Sequence, residues 1–195
     1  MMNPDNYLVS SEYIDWQHPA VLARAQTLAA GTDDPVEIAR RCFLFVRDEI
    51  RHSWDFRQNP VTCRASEVLE HGTGYCYAKS HLLAALLRAN NIPAGLCYQR
   101  LPVGDSGPPY CLHGLNAVWL EAFGWYRIDP RGNKPGVDAQ FCPPEERLAF
   151  PALAPEEADL PGIHTEPLPE VVRVLTTCTT VAEVNDNLPD VALAE

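Results

Sequence analysis

A chain that runs Gly72-Thr73-Gly74-Tyr75-Cys76 into Tyr77-Ala78-Lys79-Ser80-His81-Leu82-Leu83-Ala84-Ala85-Leu86-Leu87-Arg88-Ala89 is committed to a buried helix there. The run is rich in strong helix formers, Leu82, Leu83, Leu86 and Ala89 recur at helical spacing, and Asn90-Asn91 with Pro93 close it. The glycines at 72 and 74 permit a tight turn behind it, which sets Cys76 at or just before the first helical turn. A cysteine at such an N-terminus sits beside unpaired backbone N–H groups and the positive end of the helix dipole, surroundings that favour thiolate over thiol. Lys79 and His81 add positive charge nearby, although Lys79 is expected to point to solvent. A small buried core thiol is the alternative reading of Cys76 taken alone.

Around this helix the pattern alternates helix and strand. Pro19 to Ala30 reads as a short helix stopped by Gly31. Asp34-Pro35-Val36-Glu37 opens a second, with Ile38, Cys42, Phe43, Phe45, Val46 and Ile50 on its core face, and Ser66 to Glu70 makes one or two further turns. Ala94 to Leu101 alternates as a strand. The loop Pro102 to Tyr110 follows, either a mobile lid or a surface connection. Leu112 to Glu121 and Trp125 to Asp129 form a hairpin around Ala122-Phe123-Gly124. Eight prolines between Pro135 and Pro169 exclude helices and central strands and leave an extended surface arm. Val171 to Val181 is apolar and of open type, and Asn185 to Glu195 is expected to fray.

Composition narrows the function classes. With 46% hydrophobic and 21% charged residues over 195 positions, one folded domain spanning 1–195 is expected. The net charge of −11 is uneven, since residues 140–195 hold 11 acidic and 2 basic side chains, leaving −2 for the rest. That balance repels phosphate backbones and argues against nucleic acid as a partner. Neither an apolar run long enough for a membrane span nor a secretory leader is evident, and seven cysteines without a C-x-x-C pair point to a reduced, cytoplasmic protein. No zinc or calcium signature is present, so neither a metal nor another cofactor is expected.

A nucleophilic thiol needs a base and a group that orients the base. The hairpin offers His113 near the start of one strand and Asp129 at the end of its neighbour. The two positions have the same parity, so a three-residue loop at 122–124 sets them on one face, with Gly124 left-handed. That register pairs Asp129 with Ala117, roughly 13 Å from His113 at about 3.3 Å per residue, and a bulge or shifted register must close the gap. Alternatively, His113 is a strand-end histidine bonded to backbone and Asp129 a turn former before Pro130.

Gly74-Tyr75-Cys76-Tyr77 with its helix to Ala94, then His113-Gly114-Leu115-Asn116-Ala117-Val118-Trp119, then Trp125-Tyr126-Arg127-Ile128-Asp129-Pro130, resembles the core of the transglutaminase-like family over about residues 35–131. The resemblance implies an α+β, papain-related fold, its nucleophile helix packed on an antiparallel β-sheet, here followed by a Pro-rich acidic extension over 132–195. It implies Cys76 as nucleophile, His113 as general base and then acid, and Asp129 as the residue orienting the imidazole. A thioester acyl-enzyme would pass its acyl group to water or an amine. The Cys76 backbone N–H would be one oxyanion donor. A second is sought upstream of Cys76, where Trp54, Gln58 and Asn59 are candidates. Tyr75 and Tyr77 either wall the acyl site or pack the core. Asn116 serves the strand or its neighbours.

These readings point to a cysteine-dependent amide or peptide hydrolase or acyl transferase acting on a peptide, protein or small amide. The alternatives are a non-catalytic binding module on the same fold and an arylamine-type small-molecule acyltransferase. The acidic arm, with Phe141, Leu148, Phe150 and Leu153 as apolar anchors, is either a cover over the substrate groove or a stabilising strap, and the strap is favoured.

Overall fold

The computed structural model describes residues 3–104, 107–154 and 156–191. After a 3-10 turn at Pro4–Leu8, two helices each open on a proline, α1 (Pro19–Ala29) and α2 (Pro35–Leu44). Proline is tolerated there because the first N–H groups of a helix have no internal partner. The Asp34 carboxylate caps α2 by accepting from the Val36 N–H at 3.0 Å. All six residues of the expected core face, Ile38 to Ile50, are buried. A π-turn, Phe45–Glu49, leads into β1 (Arg51–His52), α3 (Ser53–Phe56) and α4 (Ala65–His71). Gly72, left-handed at φ 64°, ends α4 and turns the chain into β2 (Thr73–Gly74), which pairs parallel with β1 in the register Arg51↔Thr73, His52↔Gly74.

Next comes α5 (Cys76–Ala89), with Cys76 as its first residue. It packs against the central sheet and is covered by α1, α2 and α4. Leu82, Leu83, Leu86 and Leu87 are fully buried, each contributing about 2 kcal/mol by removal from water. Arg88 is buried as well, its guanidinium donating to the carbonyls of Ala94 (2.9 Å), Val9 (2.8 Å) and Thr165 (2.9 Å). Lys79 departs from the expectation of a solvent-facing side chain and is 0% exposed. Its ammonium donates to the backbone carbonyls of Ile50 and Arg47, because the π-turn ends directly over this face of α5.

The central sheet is antiparallel, built from β3 (Ala94–Pro102), β4 (Tyr110–Leu120) and β5 (Gly124–Ile128), in the order β5-β4-β3 with an edge strand beyond β3. The turn between β4 and β5 is Glu121-Ala122-Phe123, one position earlier than the spacing predicts, and Leu120 pairs with Gly124. Gly124 is left-handed, at φ 77°, but as the first paired residue of β5. The slide moves every β5 residue two positions along β4 and closes half of the predicted four-residue gap between Asp129 and His113.

The proline-rich segment is mostly extended, yet it adds a small hairpin, β6 (Gln140–Cys142) with β7 (Glu145–Arg147), and the sheet's edge strand β8 (Ala158–Asp159). Phe141 packs against Phe43 and Tyr126, and Leu148 against Cys97, Leu115 and Ala117. Leu153 is no anchor, being 83% exposed. The open stretch from Val171 resolves into α6 (Pro169–Thr177), burying Val171, Val174 and Leu175, and α7 (Val181–Asp186) follows. Residues 185–191 do not fray, for Leu112 N–H donates to Pro189 O at 2.7 Å and Arg100 pairs with Asp190 at 2.7 Å. The expected fraying of 192–195 lies outside the described residues.

Candidate active site

Cys76 is 6% exposed at the head of α5, below the middle of β4. The backbone of Gly114 lies directly on it, and the Gly114 N–H donates to Cys76 Sγ at 3.5 Å. The approach is tight, since a Cβ at Gly114 would stand 3.0 Å from the Tyr77 Cα and would require the helix start to give way. His113, one residue earlier, is buried beside the same sulfur, close enough for each to bear on the other's charge.

The other side of the His113 ring meets Asp129, Nε2 to Oδ2 at 2.7 Å, so Nδ1 is the nitrogen left to face Cys76. Asp129 is fully buried, and its oxygens also accept from the backbone N–H of Arg131 (3.1 Å) and Ala149 (3.0 Å). Burial would raise the Asp129 pKa, but the imidazole and those two N–H groups hold it below the ordinary carboxylate value. Burial likewise opposes a charge on His113, yet Asp129 and Cys76 outweigh it and raise its pKa to about 10. Phe150 from the arm stands edge-on to the imidazole at 5.1 Å and fixes its plane.

Positive charge from α5 is not what surrounds Cys76. His81 is fully buried, bonds the Cys63 carbonyl through Nδ1 at 2.7 Å, and burial lowers its pKa to about 4. Burial and the charge of Arg131 lower Lys79 to about 7.

A cavity of about 560 Å³ opens over Cys76 and His113. Tyr75, Tyr77, Trp54 and Leu112 line it from the family-like core, Phe150 and Leu153 from the arm, and Asn185 and Leu188 from the C-terminal segment. Both tyrosines are buried and line the cavity. Tyr75 donates to the Val181 carbonyl at 2.6 Å and Tyr77 to the Leu112 carbonyl, so the rings line the cavity while their hydroxyls hold the start of α7 and β4. Residues 102–104 also line the cavity, and 105–106 of the anticipated lid lie outside the described residues. Asn116 holds neighbours together, donating to the Ser80 and Gly95 carbonyls.

The three upstream candidates separate. Trp54 lines the cavity, its ring covered by the Arg57 guanidinium at 3.2 Å. Gln58 and Asn59 are turned elsewhere. Gln58 donates to the His71 carbonyl at 3.4 Å, and Asn59 accepts from the Val181 N–H at 2.9 Å, serving the start of α7. Sequence reasoning passed over His52, Arg131 and Lys134, all of which line the cavity. Asp55 binds both Arg131 nitrogens (2.6 and 3.0 Å) and Lys134 (2.9 Å), and these cations hold its carboxyl well below the usual range against the effect of burial. The one available signal for His52 was its place between the end of a helical pattern and a polar stretch, which carries no periodicity.

A cysteine at the first turn of a buried helix, set under an antiparallel sheet that carries a His–Asp pair, defines a papain/transglutaminase-like fold. The chain belongs to the transglutaminase-like superfamily, whose family model matches residues 22–130. Among solved structures it resembles a candidate cysteine protease from Cytophaga hutchinsonii, with 16% identity and a TM-score of 0.53 over 64% of this chain and 40% of that one. It also resembles the periplasmic domain of TgpA from Pseudomonas aeruginosa, with 19% identity and a TM-score of 0.50 over 66% and 48%. The chain thus spans less than half the length of either. No curated protein matches it in sequence.

Proposed function

We propose that this protein is a cysteine-dependent amide or peptide hydrolase, or an acyl transferase, working through a thioester acyl-enzyme. The observation that carries the reading is the single imidazole of His113, set beside the Cys76 sulfur on one side and hydrogen-bonded to Asp129 at 2.7 Å on the other. Cys76 Sγ attacks the substrate carbonyl after its proton passes to His113 Nδ1, while Asp129 keeps the Nε2–H in place and stabilises the imidazolium. The new oxyanion accepts from the Cys76 backbone N–H. As the tetrahedral intermediate collapses, His113 returns the proton to the leaving amine and the thioester remains. Water or an amine, deprotonated by the same imidazole, then releases the acyl group.

Hydrolysis is favoured over protein joining, because water needs no second protein-binding surface. The substrate would be a peptide, a protein segment or a small amide that reaches the cavity floor. All seven cysteines are free, which suits a reducing compartment such as the cytoplasm.

The test is iodoacetamide labelling at pH 7, read by mass spectrometry at each cysteine, in the native chain and in His113→Ala. Selective labelling of Cys76 that slows at least tenfold in the variant is expected. A Cys76 that reacts only after unfolding would leave a binding module in place of an enzyme.

A further inference from the structure

His52 is used by neither the fold's core nor the chemistry above, and it is built into the same cavity. It is buried, lines the space above Cys76, and packs edge-on to Tyr75 with ring centroids 5.5 Å apart. The parallel pairing His52↔Gly74 holds its backbone beside the residue two before Cys76. Its position is therefore set by strand hydrogen bonds and ring packing together.

The ring's protonation is constrained too. Nδ1 is shut away from solvent and has no hydrogen-bond partner among the described residues. The nearest acid, Asp55 Oδ2, stands 3.7 Å away and is occupied by Arg131. Among the described residues no acceptor stands within hydrogen-bond distance of Nδ1, and the tautomer that serves as the donor carries its hydrogen on Nε2. Burial and the charges of Arg131, Lys79 and His113 lower the pKa of His52 far below 6.5, against the opposing pull of Asp55, and keep the ring neutral.

We propose that His52 is a catalytic residue, donating from Nε2–H to the acyl oxygen as the carbonyl bound at Cys76 becomes tetrahedral. This rests on the reading of Cys76 as nucleophile and fills the second oxyanion position that the sequence left among Trp54, Gln58 and Asn59. A neutral donor fixed in advance in a dry site stabilises developing charge without reorganisation. Trp54 is the competing donor in the cavity, but it is half-buried on a short helix and stacked under an exposed arginine.

Two reactions of the same sulfur distinguish the possibilities. Alkylation by iodoacetamide forms no oxyanion, whereas acylation by p-nitrophenyl acetate does, releasing p-nitrophenolate as the acetyl thioester forms. In His52→Ala, acylation is expected to fall about 10²-fold while alkylation stays within about twofold, and His52→Gln, which restores a side-chain N–H, should recover at least about tenfold. If His52→Ala does not fold by circular dichroism, His52→Phe keeps the ring packing and removes the donor. Unchanged acylation, an equal fall in both reactions, or a drop carried by Trp54→Phe instead would each overturn the assignment. A native Cys76 that is alkylated selectively but not acylated would overturn it while sparing the nucleophile, and a Cys76 inert to both reagents would remove both.

Discussion

Asp129 lies one residue beyond the end of β5, two positions from His113 in the hairpin register, and its carboxylate still reaches the imidazole at 2.7 Å. The same carboxylate oxygen accepts from Ala149 in the arm, and its twin from Arg131. One buried group therefore holds the His113 imidazole and fastens the proline-rich segment to the sheet.

Replacing that carboxylate tests both roles. In Asp129→Asn the amide presents N–H where the native residue only accepts, and His113 loses its charge partner. Acylation of Cys76 should fall by about 10³-fold or more. Urea denaturation should show a stability loss of about 1–3 kcal/mol from the disrupted backbone bonds. Retention of the native acylation rate would mean that the pair does not orient the base.

The pH dependence of stability combines two opposed buried groups. His113, raised from 6.5 to about 10, contributes stability that is complete below pH 6.5 and is lost as pH climbs through about 10. Lys79, lowered from 10.5 to about 7, does the reverse, because between those values the unfolded chain binds the proton that the folded chain lacks, so stability rises with pH. In the native protein the two slopes oppose each other. Thermal melts of Lys79→Met between pH 7 and 10 should fall more steeply with pH than those of the native chain, and His113→Gln should fall less steeply or rise.

Asn59 separates a cap from a catalytic group. Asn59→Ala removes the acceptor for the Val181 N–H and should cost about 1 kcal/mol. Because the side chain is turned to α7 and not to the cavity, acylation by p-nitrophenyl acetate should stay within about twofold of native. A large drop in rate with stability unchanged would reverse that assignment.

Arg88 joins the N-terminal segment, the start of β3 and the arm through the carbonyls of Val9, Ala94 and Thr165. Arg88→Met leaves three carbonyls without their donor, a loss of roughly 3 kcal/mol or more in denaturant melts. Arg88→Lys should recover only part of it, since one ammonium cannot reproduce the planar fork.

What was legible in the sequence was what short-range pattern encodes. The helix behind Cys76 followed from its leucines and flanking glycines, and the shared face of His113 and Asp129 followed from parity. The register did not, because a three-residue turn one position earlier preserves both parity and loop length. Lys79 was misread because its burial depends on Arg47 and Ile50, residues whose carbonyls only the tertiary fold brings over α5. The β-branched run after Pro169 left helix and strand open, and packing of Val171, Val174 and Leu175 settled it as helix. His52 gave no periodic signal, since its place in the cavity comes from pairing with a strand 22 residues on.

Part of the cavity rim has a separate origin from its floor. Cys76, His113 and Asp129 fall within residues 22–130, whereas Phe150, Leu153, Asn185 and Leu188 come from chain that the family model does not match. On the proposed function, the reacting groups and much of the surface a substrate would meet are thereby written in different stretches of sequence. A graft or drift of the last third could change which molecules enter while the sulfur, imidazole and carboxylate stay as they are, so shared family membership carries little information about shared substrate.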